Sequence, residues 1–274
     1  MRNIGGELLF HLVVNKRMIN LTRLYCDVSQ PMDHLRYGRG PGAPAAAAER
    51  RPIVVWNITR RCNLKCVHCY SDSTSQQYPG ELDWDQCKAV IDDLADFKVP
   101  ALLLSGGEPT IHPNFFELAE YATGKGLRLT LSTNGTLLDP DRAARVKDIG
   151  FSYVGISLDG IGATHDHFRG VSGSYEKAVQ AFRNCRAVGQ KVGLRLTLSQ
   201  HNIDDLDRIL DLIEREEIER VCFYHLVYSG RGSNLLEVPH EKTRAAIDKI
   251  LARTAQWAAS GKPREVLTVD QPVD

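Results

Sequence analysis

The sequence predicts an α/β fold, an incomplete (β/α)6 TIM-like barrel, and three observations carry that expectation. Short apolar runs alternate with helical patterns six times between residues 51 and 232. Strand followed by helix, repeated in strict order, makes a parallel sheet with right-handed crossovers. The runs are apolar enough for strands covered on both faces, and the unusual loops all follow strands, where α/β folds place their chemistry. A doubly wound open sheet has the same local pattern and remains the alternative.

The elements follow in order. Residues 1–50 form an N-terminal extension and linker that ends in the Gly, Pro and Ala-rich "YGRGPGAPAAAAERRP" at 37–52. Met18, opening "MINLTRLYCDV", reads as the true start, with residues 1–17 as upstream sequence. The barrel body, 51–232, opens with the strand IVVWNI (53–58), a helix near 83–97, ALLL (101–104) and a helix near 114–124. LRLTLS (127–132), a helix from 139, YVGISL (153–158) and a helix from 174 come next. KVGLRLTL (191–198), a helix from 203 and RVCFYHL (220–226) complete it. Residues 233–274, with a helix near 240–259 and the strand-like EVLTV, read as the start of a truncated C-terminal region.

Thirty-four Lys plus Arg balance thirty-four Asp plus Glu, so no global field favours nucleic acid or an anionic membrane. No run reaches the roughly 18 apolar residues of a membrane span. Glu7 and His11 flank the short opening apolar stretch, which argues against a secretory signal. Cys26, Cys87, Cys185 and Cys222 share no spacing, as reduced thiols of the cytoplasm do. A cytoplasmic protein with no nucleic-acid or membrane partner is expected.

The loop after the first strand, "TRRCNLKCVHCYSD", places Cys62, Cys66 and Cys69 at C-x3-C-x2-C. Three thiols are the wrong count for a four-ligand structural zinc or for paired disulfides. A four-iron cluster held by three thiolates keeps one iron open for a ligand. A zinc site completed by His68 is the alternative, awkward because His68 sits between two of the cysteines. "LLLSGGEPT" follows the second strand; Gly106 and Gly107 allow close backbone approach to a ligand, and Glu108 can accept from a cationic ammonium. "STNG" and "SLDG" place Ser132, Asn134, Ser157 and Asp159 at the ends of the third and fourth strands, where turn chemistry is the competing reading.

The cysteine motif after strand one and the Gly-Gly-Glu loop after strand two together resemble the radical S-adenosylmethionine (SAM) superfamily over roughly residues 51–230. The resemblance implies a [4Fe–4S] cluster on Cys62, Cys66 and Cys69, with SAM chelating the open iron. One electron, from a donor such as ferredoxin or flavodoxin, breaks a sulfonium carbon–sulfur bond and yields a 5′-deoxyadenosyl radical that takes a hydrogen atom from the substrate. It also implies that Gly106, Gly107 and Glu108 contact the methionine part of the cofactor and that Ser132, Asn134, Ser157 and Asp159 line its nucleoside part. His68 joins the cofactor set, and Arg169 and Arg195 are candidates for the cofactor carboxylate. Arg60, Arg61, His225, Tyr228 and Arg231 are candidates for substrate contact.

The flanking strings "LTRLYCDVSQPMDHLRYGR", "VGISLDGIGATHDHFRG" and "HLVYSGRG" are similar to radical enzymes that modify siroheme-derived tetrapyrroles. One branch removes two acetate side chains from didecarboxysiroheme to give iron-coproporphyrin, and the other, of haem d1 formation, loses propionates. The N-terminal string and "LSQHN" lean towards the deacetylase. A peptide-modifying radical SAM maturase shares every cofactor motif, and a non-catalytic zinc or iron–sulfur module is the reading of another class. Members of the group continue past "TVDQPVD" with further cysteines for a second cluster, whereas the last cysteine here is Cys222.

Overall fold

The computed structural model describes residues 18–29, Asp33 and 51–269. The first seventeen residues, nearly all of the connector and the last five residues lie outside the described residues. Eight strands form one sheet: β1 (Met18–Asn20), β2 (Val54–Thr59), β3 (Leu102–Gly106), β4 (Leu129–Thr133), β5 (Tyr153–Ser157), β6 (Val192–Leu198), β7 (Arg220–His225) and β8 (Glu265–Val269). Their spatial order is β1-β8-β7-β6-β5-β4-β3-β2. Every neighbouring pair is parallel except β1 against β8. The sheet does not close, so the barrel is partial.

Among the described residues the complete α-helices are α1 (Leu21–Cys26), α2 (Trp84–Asp96), α3 (Phe115–Gly124), α4 (Pro140–Ile149), α5 (Ala163–Arg169), α6 (Ser174–Ala187), α7 (Leu206–Arg215) and α8 (His240–Ala259). Local chemistry sets their ends. Asp83 caps α2 in a reciprocal capping box with Gln86. Asp139 caps α4 ahead of Pro140, and left-handed Gly150 closes it.

The six strands read from the sequence are β2 to β7, each within two residues of its expected ends. Their two faces differ. Leu102, Leu104, Leu129, Leu131, Val154, Ile156, Leu194 and Leu196 form a fully buried face of one continuous core. The alternate residues Ser105, Ser132, Ser157, Arg195 and Thr197 look into the concave side and line a cavity. The period of two along a strand separates core from site.

Two features lie beyond that reading. The short α5 occupies the stretch between β5 and α6, which the sequence leaves without an element. The segment after residue 232 extends the same sheet: β8 pairs with β7, Val221 opposite Val266, and β1 pairs with β8. Ala246, Ile250, Trp257 and Val266 belong to the same core as the barrel. Among the described residues no helix is long and apolar enough to cross a membrane.

Candidate active site

The concave side of the sheet, at the C-terminal ends of β2 to β7, encloses a cavity of about 350 Å³. Cys62, Cys66 and Cys69 line its mouth and are free thiols. Cys62, Leu64 and Cys66 form a small buried cluster of their own, with Cys69 packed against it.

The cysteine loop is held on three sides. Gly107 N–H donates to the Thr59 carbonyl at 2.9 Å and Glu108 N–H to the Arg61 carbonyl at 2.9 Å. Gly106 sits at φ +137°, and a Cβ there would lie 2.2 Å from the Thr59 oxygen, so only glycine lets the two backbones meet. On the second side, Lys65 and Val67 N–H groups donate to the carbonyls of Arg169 and Phe168 at the end of α5. On the third, Arg231 N–H donates to the Cys69 carbonyl at 2.9 Å and Arg231 Nε to the Cys66 carbonyl at 2.7 Å. Arg231 Nη2 reaches the Ser73 carbonyl at 3.0 Å, and its charge is paired with Asp72. Gly230, at φ +55°, would carry a Cβ 2.4 Å from the Cys69 oxygen.

The sulfurs receive donors. Leu64 N–H points at Cys62 Sγ at 3.4 Å, Ser73 N–H at Cys69 Sγ at 3.3 Å, and Arg169 Nη1 at Cys66 Sγ at 3.6 Å. The Ser71 hydroxyl lies 3.4 Å from Cys69 Sγ. Burial pushes the Cys62 thiol up to about 12 and also raises that of Cys66. Burial likewise acts upward on Cys69, but the donors of Ser71 and Ser73 and the Arg231 charge outweigh it and hold that thiol below its ordinary value. Two buried thiols and a half-buried third in one loop, each met by donors that favour an anionic sulfur, fit one face of an iron–sulfur cluster with one thiolate per iron. Among the described residues no group of three His, Cys, Asp or Glu converges on a single metal ion.

Behind the loop lies a buried ion pair. Arg169 Nη2 contacts Asp159 Oδ2, with side chains only 9% and 1% exposed. Asp159 Oδ1 accepts from Thr197 N–H at 2.8 Å. Burial acts to raise the Asp159 carboxyl, and the Arg169 charge overcomes it and holds it below its ordinary range. Asp159 N–H donates to Nδ1 of the buried His165 at 3.1 Å, which fixes that nitrogen as the unprotonated one. Burial lowers His165 to about 4.

Glu108 is fully buried and not part of the cavity wall. Its Oε1 accepts from Thr110 N–H, the Thr110 hydroxyl and the Thr133 hydroxyl, and Oε2 from Asn134 N–H at 2.7 Å. It ties the β3 loop to the end of β4. Asn134 Nδ2 donates to Asn63 Oδ1 at 2.9 Å and stands 4.0 Å from Cys62 Sγ.

The cavity wall brings together most residues expected from the sequence: the three cysteines, His68, Gly106, Gly107, Ser132, Asn134, Ser157, Asp159, Arg169, Arg195, His225 and Arg231. The His68 ring stacks on Phe168 at 4.2 Å, its Nδ1 is buried with no hydrogen-bond partner, and burial lowers it to about 4. Arg60, Arg61 and Tyr228 stand off that wall. Arg60 lies over the Tyr78 ring at 4.3 Å and donates to the Ser71 carbonyl. Tyr228 is exposed, as are Val55, Tyr70 and Val227 of the cavity lining. Ser71 and Ser73 were not singled out by the sequence reading; the signal was the "SDS" that follows the third cysteine, two hydroxyls spaced to turn back on its sulfur.

Residues 56–213 match the family described as the radical SAM superfamily. The chain is 48% identical over 264 residues to the Fe-coproporphyrin III synthase of Methanosarcina barkeri, covering 94% of this chain and 66% of that protein. It is 46% identical over 227 residues to the pre-heme d1 synthase of Dinoroseobacter shibae, covering 82% of this chain and 56% of that one. The chain thus spans slightly more than half to about two-thirds of the length of these curated relatives. Among solved structures, Streptococcus suis SuiB bound to S-adenosylmethionine superposes with a TM-score of 0.67 at 13% identity, over 81% of this chain and 50% of that one.

Proposed function

Because the chain belongs to the radical SAM superfamily, whose members use a [4Fe–4S] cluster and S-adenosylmethionine, we propose that it removes carboxylate side chains from a siroheme-derived tetrapyrrole. The favoured reaction is the loss of acetate groups from didecarboxysiroheme in haem formation. The observation that carries this reading is the 48% identity to an Fe-coproporphyrin III synthase along 94% of the chain, beside a three-thiol loop that lines the cavity.

When bound, the cluster and cofactor supply one-electron cleavage of a sulfonium carbon–sulfur bond and a radical able to take a hydrogen atom. Cys62, Cys66 and Cys69 hold the cluster. Arg169 donates to Cys66 while Asp159 keeps that guanidinium in place. Glu108 acts from beneath, fixing the ends of β3 and β4 so that Gly106, Gly107 and Asn134 present their edges to the cofactor. Ser132 and Ser157 offer hydroxyls from the strand ends, and the His68 ring, neutral and stacked on Phe168, lines the wall beside the cysteines. The exposed Val55, Tyr70, Val227 and Tyr228 suit a flat, largely apolar macrocycle that leans on the mouth while one side chain enters. A ferredoxin or flavodoxin is the proposed electron donor.

The test is anaerobic reconstitution followed by absorbance titration. About four irons per chain and a saturable shift of the iron-coproporphyrin spectrum are expected. Tight binding of a precursor peptide with no tetrapyrrole shift would move the chain to the peptide-modifying group.

A further inference from the structure

The cavity wall carries three arginines, and they are not equivalent. Arg169 is neutralised by Asp159. Arg231 is neutralised by Asp72 and strapped to the carbonyls of Cys66 and Ser73. Arg195 has no hydrogen bond or ion pair among the described residues; its recorded contact is the Tyr224 ring, 4.8 Å from the guanidinium carbon. The groups that act on it electrostatically include the Tyr224, Tyr153 and Tyr70 phenols and the Cys222 thiol.

Its position is built. Gly155, across the strand pair on β5, has no side chain, and a Cβ there would stand 2.6 Å from Arg195 Cδ and 3.2 Å from Cγ. The missing side chain is the channel through which the arginine crosses the floor. Arg195 pairs in register with Ser157 and Cys222, whereas Thr197, which holds Asp159, pairs with Tyr224. Arg195 is therefore rooted two residues, about 7 Å, further from the cysteine loop than the level of the Asp159–Arg169 pair. A half-buried cation without a counter-charge is unfavourable unless a ligand brings the anion.

We propose that Arg195 is the anchor for a carboxylate of the substrate, held on the barrel floor beneath the cofactor, and not a partner for the carboxylate of S-adenosylmethionine. This rests on the radical SAM reading of the site and narrows the substrate to one that presents a carboxylate on a short flexible arm. The planar guanidinium gives such a group two parallel hydrogen bonds, and the Tyr224 ring keeps the fork in place.

The experiment uses the reconstituted full chain with iron-coproporphyrin and its tetramethyl ester as probes, and with the cofactor-induced change in the cluster's electron paramagnetic resonance spectrum as a separate readout. Arg195→Gln is expected to weaken binding of the free acid roughly tenfold or more, to leave the ester unaffected, and to leave the cofactor-induced spectral change intact. Gly155→Ala, which displaces the arginine without removing its charge, is expected to act in the same direction. Loss of the cofactor response in Arg195→Gln, or unchanged binding of the free acid, overturns the proposal. If the parent protein binds neither porphyrin, the tetrapyrrole reading fails, and Arg195 is judged by phenylglyoxal labelling with saturating S-adenosylmethionine. Protection by propionate and not by propionamide upholds the anchor; equal labelling in both, or an arginine already covered by the cofactor alone, overturns it.

Discussion

Arg169 sits between the Asp159 carboxylate and the Cys66 sulfur, so one buried cation serves both the stability of the fold and the charge of the site. Removing either partner of a buried pair leaves the other uncompensated, at about 3–5 kcal/mol. Arg169→Gln and Asp159→Asn should each lower urea stability by that order, and the double variant should lose less than their sum. His165 gives a second residue-scale expectation. It is neutral in the fold at about 4, with Asp159, Arg169, Asp166 and His68 acting on it, whereas an unfolded histidine titrates near 6.5. The unfolded chain therefore takes up the proton first, and stability falls as pH drops from about 6.5 towards 4, by up to about 3 kcal/mol for this group. Denaturation midpoints measured across that range should show the slope, and His165→Gln should reduce it. The cysteines were legible from spacing alone, because three thiols in eight positions have few other uses. The Asp159–Arg169 pairing was not, since "SLDG" and "HDHFRG" each have ordinary turn and surface readings, and only the fold brings them together.

At the scale of elements, the cysteine loop has little regular structure of its own and borrows rigidity from β2, the end of α5 and the turn at Gly230–Asn234. Arg231 contributes two charge-assisted hydrogen bonds to loop carbonyls beside its pair with Asp72, each worth about 1.5–3 kcal/mol. Arg231→Ala should retain roughly half or less of the iron of the parent after anaerobic gel filtration, because cluster retention is coupled to the order of its loop. Far-ultraviolet dichroism should stay nearly unchanged, since Arg231 lies in a 3-10 segment of only five residues, Gly230–Asn234. The strands were legible because each is a short, nearly continuous apolar run set between helical patterns, as in a parallel sheet covered on both faces. A basic residue such as Arg231 at a strand end invites assignment as a substrate contact; its hydrogen bonds to the cysteine loop span more than 150 residues of sequence, and no local pattern encodes them.

At the scale of the whole molecule, the open sheet leaves β1 and β2 at its two ends. The segment after residue 232 covers β7 with β8 and packs Ile250 and Trp257 of α8 into the barrel core. Ending the chain at residue 232 should therefore expose the edge of β7 and the apolar groups beneath α8, and yield a protein that aggregates on expression. The sequence showed the helix and strand of this segment but not their attachment, because pairing of β1 with β8 joins residues about 250 apart and three-residue strands carry no period. The partial barrel and the family were legible, whereas the proposed carboxylate site at Arg195 was not, because Gly155 and Tyr224, which frame that guanidinium, come from the two neighbouring strands. The most direct measurement is anaerobic turnover of the reconstituted chain with S-adenosylmethionine, a reductant and didecarboxysiroheme, followed by mass analysis of the tetrapyrrole. The account predicts a product lighter by two acetate side chains, formed together with methionine and 5′-deoxyadenosine. Cofactor cleavage with the tetrapyrrole mass unchanged would contradict it.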